Sequence, residues 1–290
     1  MRNKLYPSYF AWGTILLYLV FFVVPGVMGF YYSFTDWNSY SDEINFIGFD
    51  NFKEMFSPDE NYVDFIVNTL NFTVSTVVLK TALGLAFALA LNEGIRMKGF
   101  HRVMIFMPAI VPMLVVGLIF KSVLNPATGL LNETLRFLGL GFLAQKWLVD
   151  AAWAFKSIIA VDTWKGVGYI MIILLAGLQS ISKTYYEAAE IDGASAWGRF
   201  IHITIPLLMP ALVVTTVLNL LHGLKVFEVV YVLTNGGPGW STDVLYTVIF
   251  KEFSMGRYGV GTALSSLLFL VMTVAGYFVI RLMSRQGEEH

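Results

Sequence analysis

Two sets of polar residues interrupt an otherwise apolar chain. The first lies in "YYEAAEIDGASAWGRFIHITIP", Tyr185 to Pro206, and comprises Glu187, Glu190, Asp192 and Arg199. Its chemistry is that of a docking surface. Glu187 and Glu190 stand at i,i+3 and share a helix face, in first turns where anionic side chains suit the helix dipole. Ala188 and Ala189 favour helix and carry no bulk, so a second surface can approach closely. Thr184, three residues before Glu187, fits the N-cap of a capping box. Gly193 interrupts the helix, and Trp197, Phe200 and Ile201 then fall at i, i+3, i+4 on one apolar face. The expectation is a short helix, a bend, and a second short helix ending before Pro206. The same pattern suits an interfacial helix that anchors a loop at lipid headgroups.

The second set is buried in apolar runs: Lys80, Asp162, Lys165, Lys225 and Glu228. Charges inside such runs are costly and mark function by default. The stretch "NLLHGLKVFEVVYVL" adds Asn219 and His222, which fall with Glu228 within one helical face. Phe227 and Tyr231, at i,i+4, offer adjacent aromatic surface. A few polar groups among apolar and aromatic walls are what a ligand pocket needs. Lys225 and Glu228, at i,i+3, also suit a structural ion pair, and His222 a satisfied interior histidine. Trp164, beside Asp162 and Lys165, equally suits an interfacial aromatic belt. Lys80 has no partner near it in sequence, so it is expected to face the bundle or a wet cavity.

These residues must be held by membrane helices. The 290 residues are 57% hydrophobic and 13% charged, against about 25% charged in soluble domains, and the mean hydropathy is +0.67. No basic cluster suggests nucleic acid. The absence of cysteine excludes disulfides and thiolate sites. A helix needs about 20 apolar residues to cross roughly 30 Å of hydrocarbon. Six segments qualify: 11–34, 65–92, 103–124, 153–178, 205–233 and 260–283. The fold class is therefore all-α, polytopic, with unbroken apolar runs unlike the alternation of a membrane barrel. The first run is too long for the apolar core of a signal peptide and reads as a retained span. Pro25, Pro108 and Pro112 suggest bends, and Pro206 suits a helix start.

Charge sets the orientation. Thr35–Asp64 holds Asp36, Asp42, Glu43, Asp50, Glu54, Asp59, Glu60 and Asp64 against Lys53 alone. The opposite side holds Arg2, Lys4, Arg96, Lys98, Arg102, Lys183, Arg199, Arg281 and Arg285. Lysine and arginine favour the cytoplasmic side. Both termini and the loops near 93–102 and 179–204 are therefore expected there, with 35–64, 125–152 and 234–259 outside.

The polar segment resembles the EAA loop of permease subunits of binding-protein-dependent ABC importers. That pattern is Glu-Ala-Ala, three residues, Gly, nine residues, Ile-x-Leu-Pro. Here it is met by Glu187, Ala188, Ala189, Gly193, Ile203 and Pro206, with Ile205 in place of leucine. "SFTDWN" (Ser33–Asn38), "FIGFDNF" (Phe46–Phe52), "NTLNFTV" (Asn68–Val74), "LGLAFALALN" (Leu83–Asn92), "GLLNETL" from Gly129, "DTWKGVGY" from Asp162 and "LTNGGPGWSTDVL" from Leu233 are similar to further stations of maltose-type permeases.

The resemblance implies one transmembrane domain over 1–290 with the type I ABC importer permease fold and a cytoplasmic coupling loop at 182–204. It implies a prokaryotic inner or plasma membrane location and a cargo that is a carbohydrate or related polyol. The implied partners are a second, homologous permease, two cytoplasmic ATPase subunits and an extracytoplasmic sugar-binding protein. The chain holds no cofactor; ATP and Mg belong to the ATPases. Glu187, Ala188, Ala189, Asp192, Gly193, Ile203 and Pro206 are expected to carry coupling. Asn219, His222, Lys225, Phe227, Glu228, Tyr231, Asp162 and Trp164 are candidates for the cargo path. Two alternatives stand beside this reading: an ion-coupled secondary transporter and a polytopic membrane enzyme. No repeat of spans supports the former. The scattered His101, His202, His222 and His290 offer no acid–histidine cluster for the latter.

Overall fold

A computed structural model describes residues 9–57, 60–94 and 96–288. Arg2, Lys4, Asp59 and His290 lie outside these residues. The described residues are mostly helical, and among them the one extended pairing is an isolated bridge between Thr35 and Phe46. It divides into two compact units, residues 1–63 with 248–270 and residues 64–247 with 271–290. Among the described residues, five helices are long and apolar enough to cross a membrane, or six if one bent pair counts as a single span.

Three spans follow the hydropathy closely, as Tyr62–Asn92, Ala151–Ser180 and Tyr258–Glu288. The first is two α segments, Tyr9–Tyr18 and Val24–Tyr32, joined by a π turn at Leu19–Val23. Pro25 accounts for that turn. Its ring would clash with the carbonyl four residues back, and widening the preceding turn relieves this, with Val24 N–H bonding back to Leu19 O.

The third span is broken rather than gently bent. Helices Lys98–Ile110 and Met113–Val123 meet at 97°. Val111, before Pro112, is extended (ψ 131°), because the proline ring disfavours the helical region for its predecessor. The fifth span departs from the expected continuous 205–233. Its helix ends at Leu224, and a separate short helix, Glu228–Leu233, follows. Asn219, His222 and Glu228 therefore do not share one helical face. Lys225 and Glu228 do not form an i,i+3 pair, and no ion pair joins them among the described residues.

In the first unit, Phe34 packs against Phe46, Phe49 and Phe52, and Trp37 lies between Tyr32 and Tyr258. Buried Glu252 accepts from Tyr62 Oη at 2.9 Å and pairs with Arg257 Nε at 3.2 Å; Arg257 also pairs with Glu54. Burial pushes the Glu252 carboxyl above its usual range. Asp36 accepts the Asn45 backbone N–H at 2.6 Å and its side-chain amide at 3.1 Å, and these bonds lower its carboxyl.

The second unit has two apolar clusters. One contains Phe72, Val116, Ile158, Val161, Val230, Leu233 and Val244. The other contains Ala88, Leu91, Ile170, Met171, Leu174, Leu178, Leu208 and Leu212. The second and fourth spans contribute to both clusters, with Lys80 and Asp162 at chain positions between the two contributions. Missing side chains allow close helix approach. A Cβ on Gly223 would lie 2.8 Å from Thr73 Cα, and one on Gly168 would lie against Ile105 O.

Candidate functional site: coupling turn and cavity

The polar segment forms a helix, Lys183–Ile191, then a tight turn. Its N-cap is Ser182, not Thr184. Ser182 has extended backbone (φ −64°, ψ 134°), and its Oγ accepts from Thr184 N–H at 3.4 Å. Thr184 is already inside the helix, so its hydroxyl is not at the cap position. The helix closes with Ala194 N–H on Ala189 O (2.9 Å) and Gly193 N–H on Glu190 O (3.1 Å). Gly193 is left-handed, with φ +75°. This is the two-bond closure whose C′ position favours glycine.

The second helix starts on Ser195, whose Oγ accepts from Gly198 N–H at 3.1 Å. It does not end before Pro206. Ala196–Arg199 runs through a π turn, Phe200–Thr204, into Ile205–Leu224. The turn again precedes a proline, as it does at Pro25. The docking segment and the fifth span are thus one continuous helix, Ala196–Leu224. Two contacts fasten the first helix to it: Glu190 with Arg199 at 3.3 Å, and Tyr186 Oη with Thr204 Oγ1 at 3.1 Å. Glu187, Ala188, Asp192 and Gly193 are exposed, whereas Ala189, Ile203 and Pro206 are half-buried. Ile191 and Trp197 are 86% and 71% exposed. The surface is therefore open to a partner.

A cavity of about 740 Å³ lies within the second unit. Its wall brings together six of the eight candidate path residues: Asp162, Asn219, His222, Lys225, Phe227 and Glu228. Trp164 and Tyr231 are not on it. Trp164 packs edge-on to Phe120, and Tyr231 stacks on Phe227. Phe106, Tyr169 and Tyr246 were not anticipated and add to its aromatic lining. Both broken spans reach the cavity beside their breaks, through Ile110 and Met113 and through Lys225 and Phe227.

Lys80 and Asp162 form an ion pair at 2.6 Å, both almost wholly buried. The other oxygen of Asp162 meets His222 Nε2 at 3.0 Å. One carboxylate thus joins the second, fourth and fifth spans. Gly166 makes room for the lysine, since a Cβ there would lie 2.8 Å from Lys80 Cε. Lys165 Nζ reaches Ala109 O at 3.4 Å, in the last turn of Lys98–Ile110, the first half of the broken third span, where a cation suits the carbonyl end of a helix. Asn219 Nδ2 is buried with no protein partner. The signal for the ion pair was present in the sequence: a cation and an anion, each set in an apolar run, need each other.

The long apolar helices and the mostly apolar cavity set with charged side chains fit a multi-pass membrane protein with a ligand path. Residues 81–286 match the family described as binding-protein-dependent transport system inner membrane component. The chain belongs to that family. It is 37% identical to the trehalose/maltose transport system permease protein MalF of Thermococcus litoralis, covering 88% of this chain and 85% of that protein. It is 34% identical to the multiple sugar-binding transport system permease protein MsmF of Streptococcus mutans, covering 97% of each. A crystal structure of a bacterial alginate ABC transporter, in complex with a periplasmic protein bound to an alginate pentasaccharide, has a chain that matches with a TM-score of 0.80. Identity there is 27%, and 95% of this chain and 92% of that chain are covered.

Proposed function

We propose that the chain is the transmembrane subunit of an ATP-driven importer for a carbohydrate or related polyol, forming half of the translocation path. Residues 1–290 act as one permease domain beside a second, homologous permease. An extracytoplasmic binding protein delivers the cargo, and two cytoplasmic ATPase subunits hold ATP and its magnesium and hydrolyse it. Both termini and the 182–204 turn face the cytoplasm. Membership of the family favours this reading over an ion-coupled carrier or a membrane enzyme.

One observation carries the coupling role. The exposed turn at Gly193 is fastened to a helix that runs unbroken from Ala196 to Leu224 and carries Asn219 and His222 on the cavity wall. At 1.5 Å per residue, the distance from Ala196 to Asn219 is about 35 Å. Movement of an ATPase against Glu187, Ala188, Asp192 and Gly193 is thus delivered to the cargo path without a flexible joint. The π turn at Phe200–Thr204 remains helical and is braced by Tyr186. ATP acts by binding one arrangement of this lever more tightly than the other, since equal affinity shifts no equilibrium. The wall provides aromatic platforms for C–H faces and amide, imidazole and charged groups for hydroxyls.

The test is co-purification of the ATPase subunits with this chain from a strain expressing the neighbouring transport genes. Wild type retains them. Gly193→Asp stays inserted in the membrane but loses the ATPase or its coupling to uptake. Normal uptake in that variant overturns the assignment.

A further inference from the structure

We propose that the Lys80–Asp162 ion pair is a positioning device that holds His222 as a hydrogen-bond acceptor for a cargo hydroxyl. This inference rests on the carbohydrate reading above and deepens it at one side chain. Lys80 stands on the second span, Asp162 on the fourth and His222 on the fifth. The lysine and aspartate lie in the cavity wall but are almost wholly buried, at 3% and 4% side-chain exposure, whereas the His222 side chain is 53% exposed. The buried pair therefore ends in one accessible imidazole on the cavity wall.

The pairing dictates which imidazole nitrogen carries the proton. With Lys80 Nζ at 2.6 Å, Asp162 is a carboxylate and only accepts hydrogen bonds. Its Oδ1, at 3.0 Å from Nε2, takes an N–H from His222. In neutral imidazole a proton on Nε2 leaves Nδ1 with its lone pair. No protein group partners Nδ1 among the described residues. A cargo hydroxyl can donate to it, and a position lacking that hydroxyl leaves Nδ1 unpaired. Sites built to bond a substrate hydroxyl discriminate against analogues that lack it. Asn219, three residues earlier, also lies on this wall, with its Nδ2 buried and without a protein partner.

Gly166 is part of the device. It lies four residues after Asp162 on the same helix, and its missing side chain is the channel through which Lys80 reaches the carboxylate. Without that opening Asp162 would lose its counter-ion and could be protonated, turning it into a donor and releasing the imidazole to the other tautomer.

The decisive measurement is nitrogen NMR of the assembled transporter in lipid, labelled with ¹⁵N-histidine, the His222 signal being assigned by its loss in His222→Gln. We expect a protonated Nε2 and an unprotonated Nδ1. The double variant Lys80→Met/Asp162→Asn avoids a lone buried charge and should show both tautomers, because an amide can donate or accept. A His222 signal protonated at Nδ1, or one unchanged tautomer in the double variant, overturns the positioning role. A second arm measures ATP-driven uptake of the cargo and of its monodeoxy analogues delivered by the same binding protein. His222→Leu should lower cargo uptake about tenfold, the scale of one lost hydrogen bond, and remove the preference over one particular deoxy analogue. A fixed tautomer with unaltered cargo preference in His222→Leu overturns the cargo contact alone. The carbohydrate reading fails separately if the wild-type transporter moves no carbohydrate.

Discussion

Gly166→Ala isolates the buried ion pair with the smallest possible perturbation. The added Cβ would lie 2.8 Å from Lys80 Cε, 2.9 Å from Nζ and 3.2 Å from Cδ. The end of a lysine usually swings aside at little cost. Here the side chain is buried and its Nζ is held at 2.6 Å by Asp162, so the chain must strain or the pair must lengthen. Overpacking of this kind costs about 1–3 kcal/mol, rising toward 3–5 kcal/mol if the buried pair breaks. At roughly 2–4 °C per kcal/mol for large domains, the lower range lowers the apparent melting temperature by on the order of 2–12 °C. The assay is thermal unfolding of the purified transporter, followed by loss of the monodisperse elution peak. Lys80→Ala removes the three atoms nearest the new methyl. In that background Gly166→Ala should change stability by less than about 0.5 kcal/mol, so the two substitutions couple by the difference. Equal melting of wild type and Gly166→Ala refutes the packing argument, as does an equal cost of the substitution with and without the lysine.

Gly168→Ala sets a methyl against the Ile105 carbonyl. It should cost about 3 kcal/mol or more and sharply reduce the inserted, assembled transporter seen on immunoblots. Gly193→Ala keeps the Lys183–Ile191 helix but strains a residue at φ +75°; about 1 kcal/mol is expected, with weakened ATPase retention on gel filtration if the proposed coupling holds. Tyr186→Phe removes the hydroxyl bonded to Thr204, and uptake per ATP hydrolysed should fall while basal ATPase activity persists. The Asp36 carboxyl is lowered by the backbone and side-chain bonds from Asn45. The stability this gives the turn is present above the ordinary value of 3.8 and lost as pH falls through the lowered one. NMR titration of Asp36 in wild type and Asn45→Ala should show the carboxyl titrating higher in the variant.

The spans at 65–92, 153–178 and 260–283 were legible because burial in lipid is written as a local, one-dimensional property. The turn at Gly193 was legible for a similar reason: Gly193 and its flanking helix formers act on their near neighbours. Cap identity was not, since Ser182 and Thr184 are both competent and two residues apart. Pro112 advertised a disturbance in the third span, but not the 97° turn, which depends on what Met113–Val123 packs against. The end of the fifth-span helix at Leu224 had no proline to announce it. Apolar packing of Val229, Val230 and Leu233 into the cluster with Val116 accompanies the break, and such tertiary demands override local helix preference. The cavity was half visible. Its polar residues stood out as charges in oil, yet their pairing joins positions 60 residues apart for His222 and Asp162, a relation that helical periodicity cannot supply.

Uptake in proteoliposomes addresses the central claim most directly. The full transporter would be reconstituted with this chain, its partner permease and its ATPases, with loaded binding protein outside and ATP trapped inside. Carbohydrate should accumulate with ATP, stop without it, and stop with ATP when this chain carries Gly193→Asp. Accumulation driven by an ion gradient in the absence of the ATPases would contradict the account.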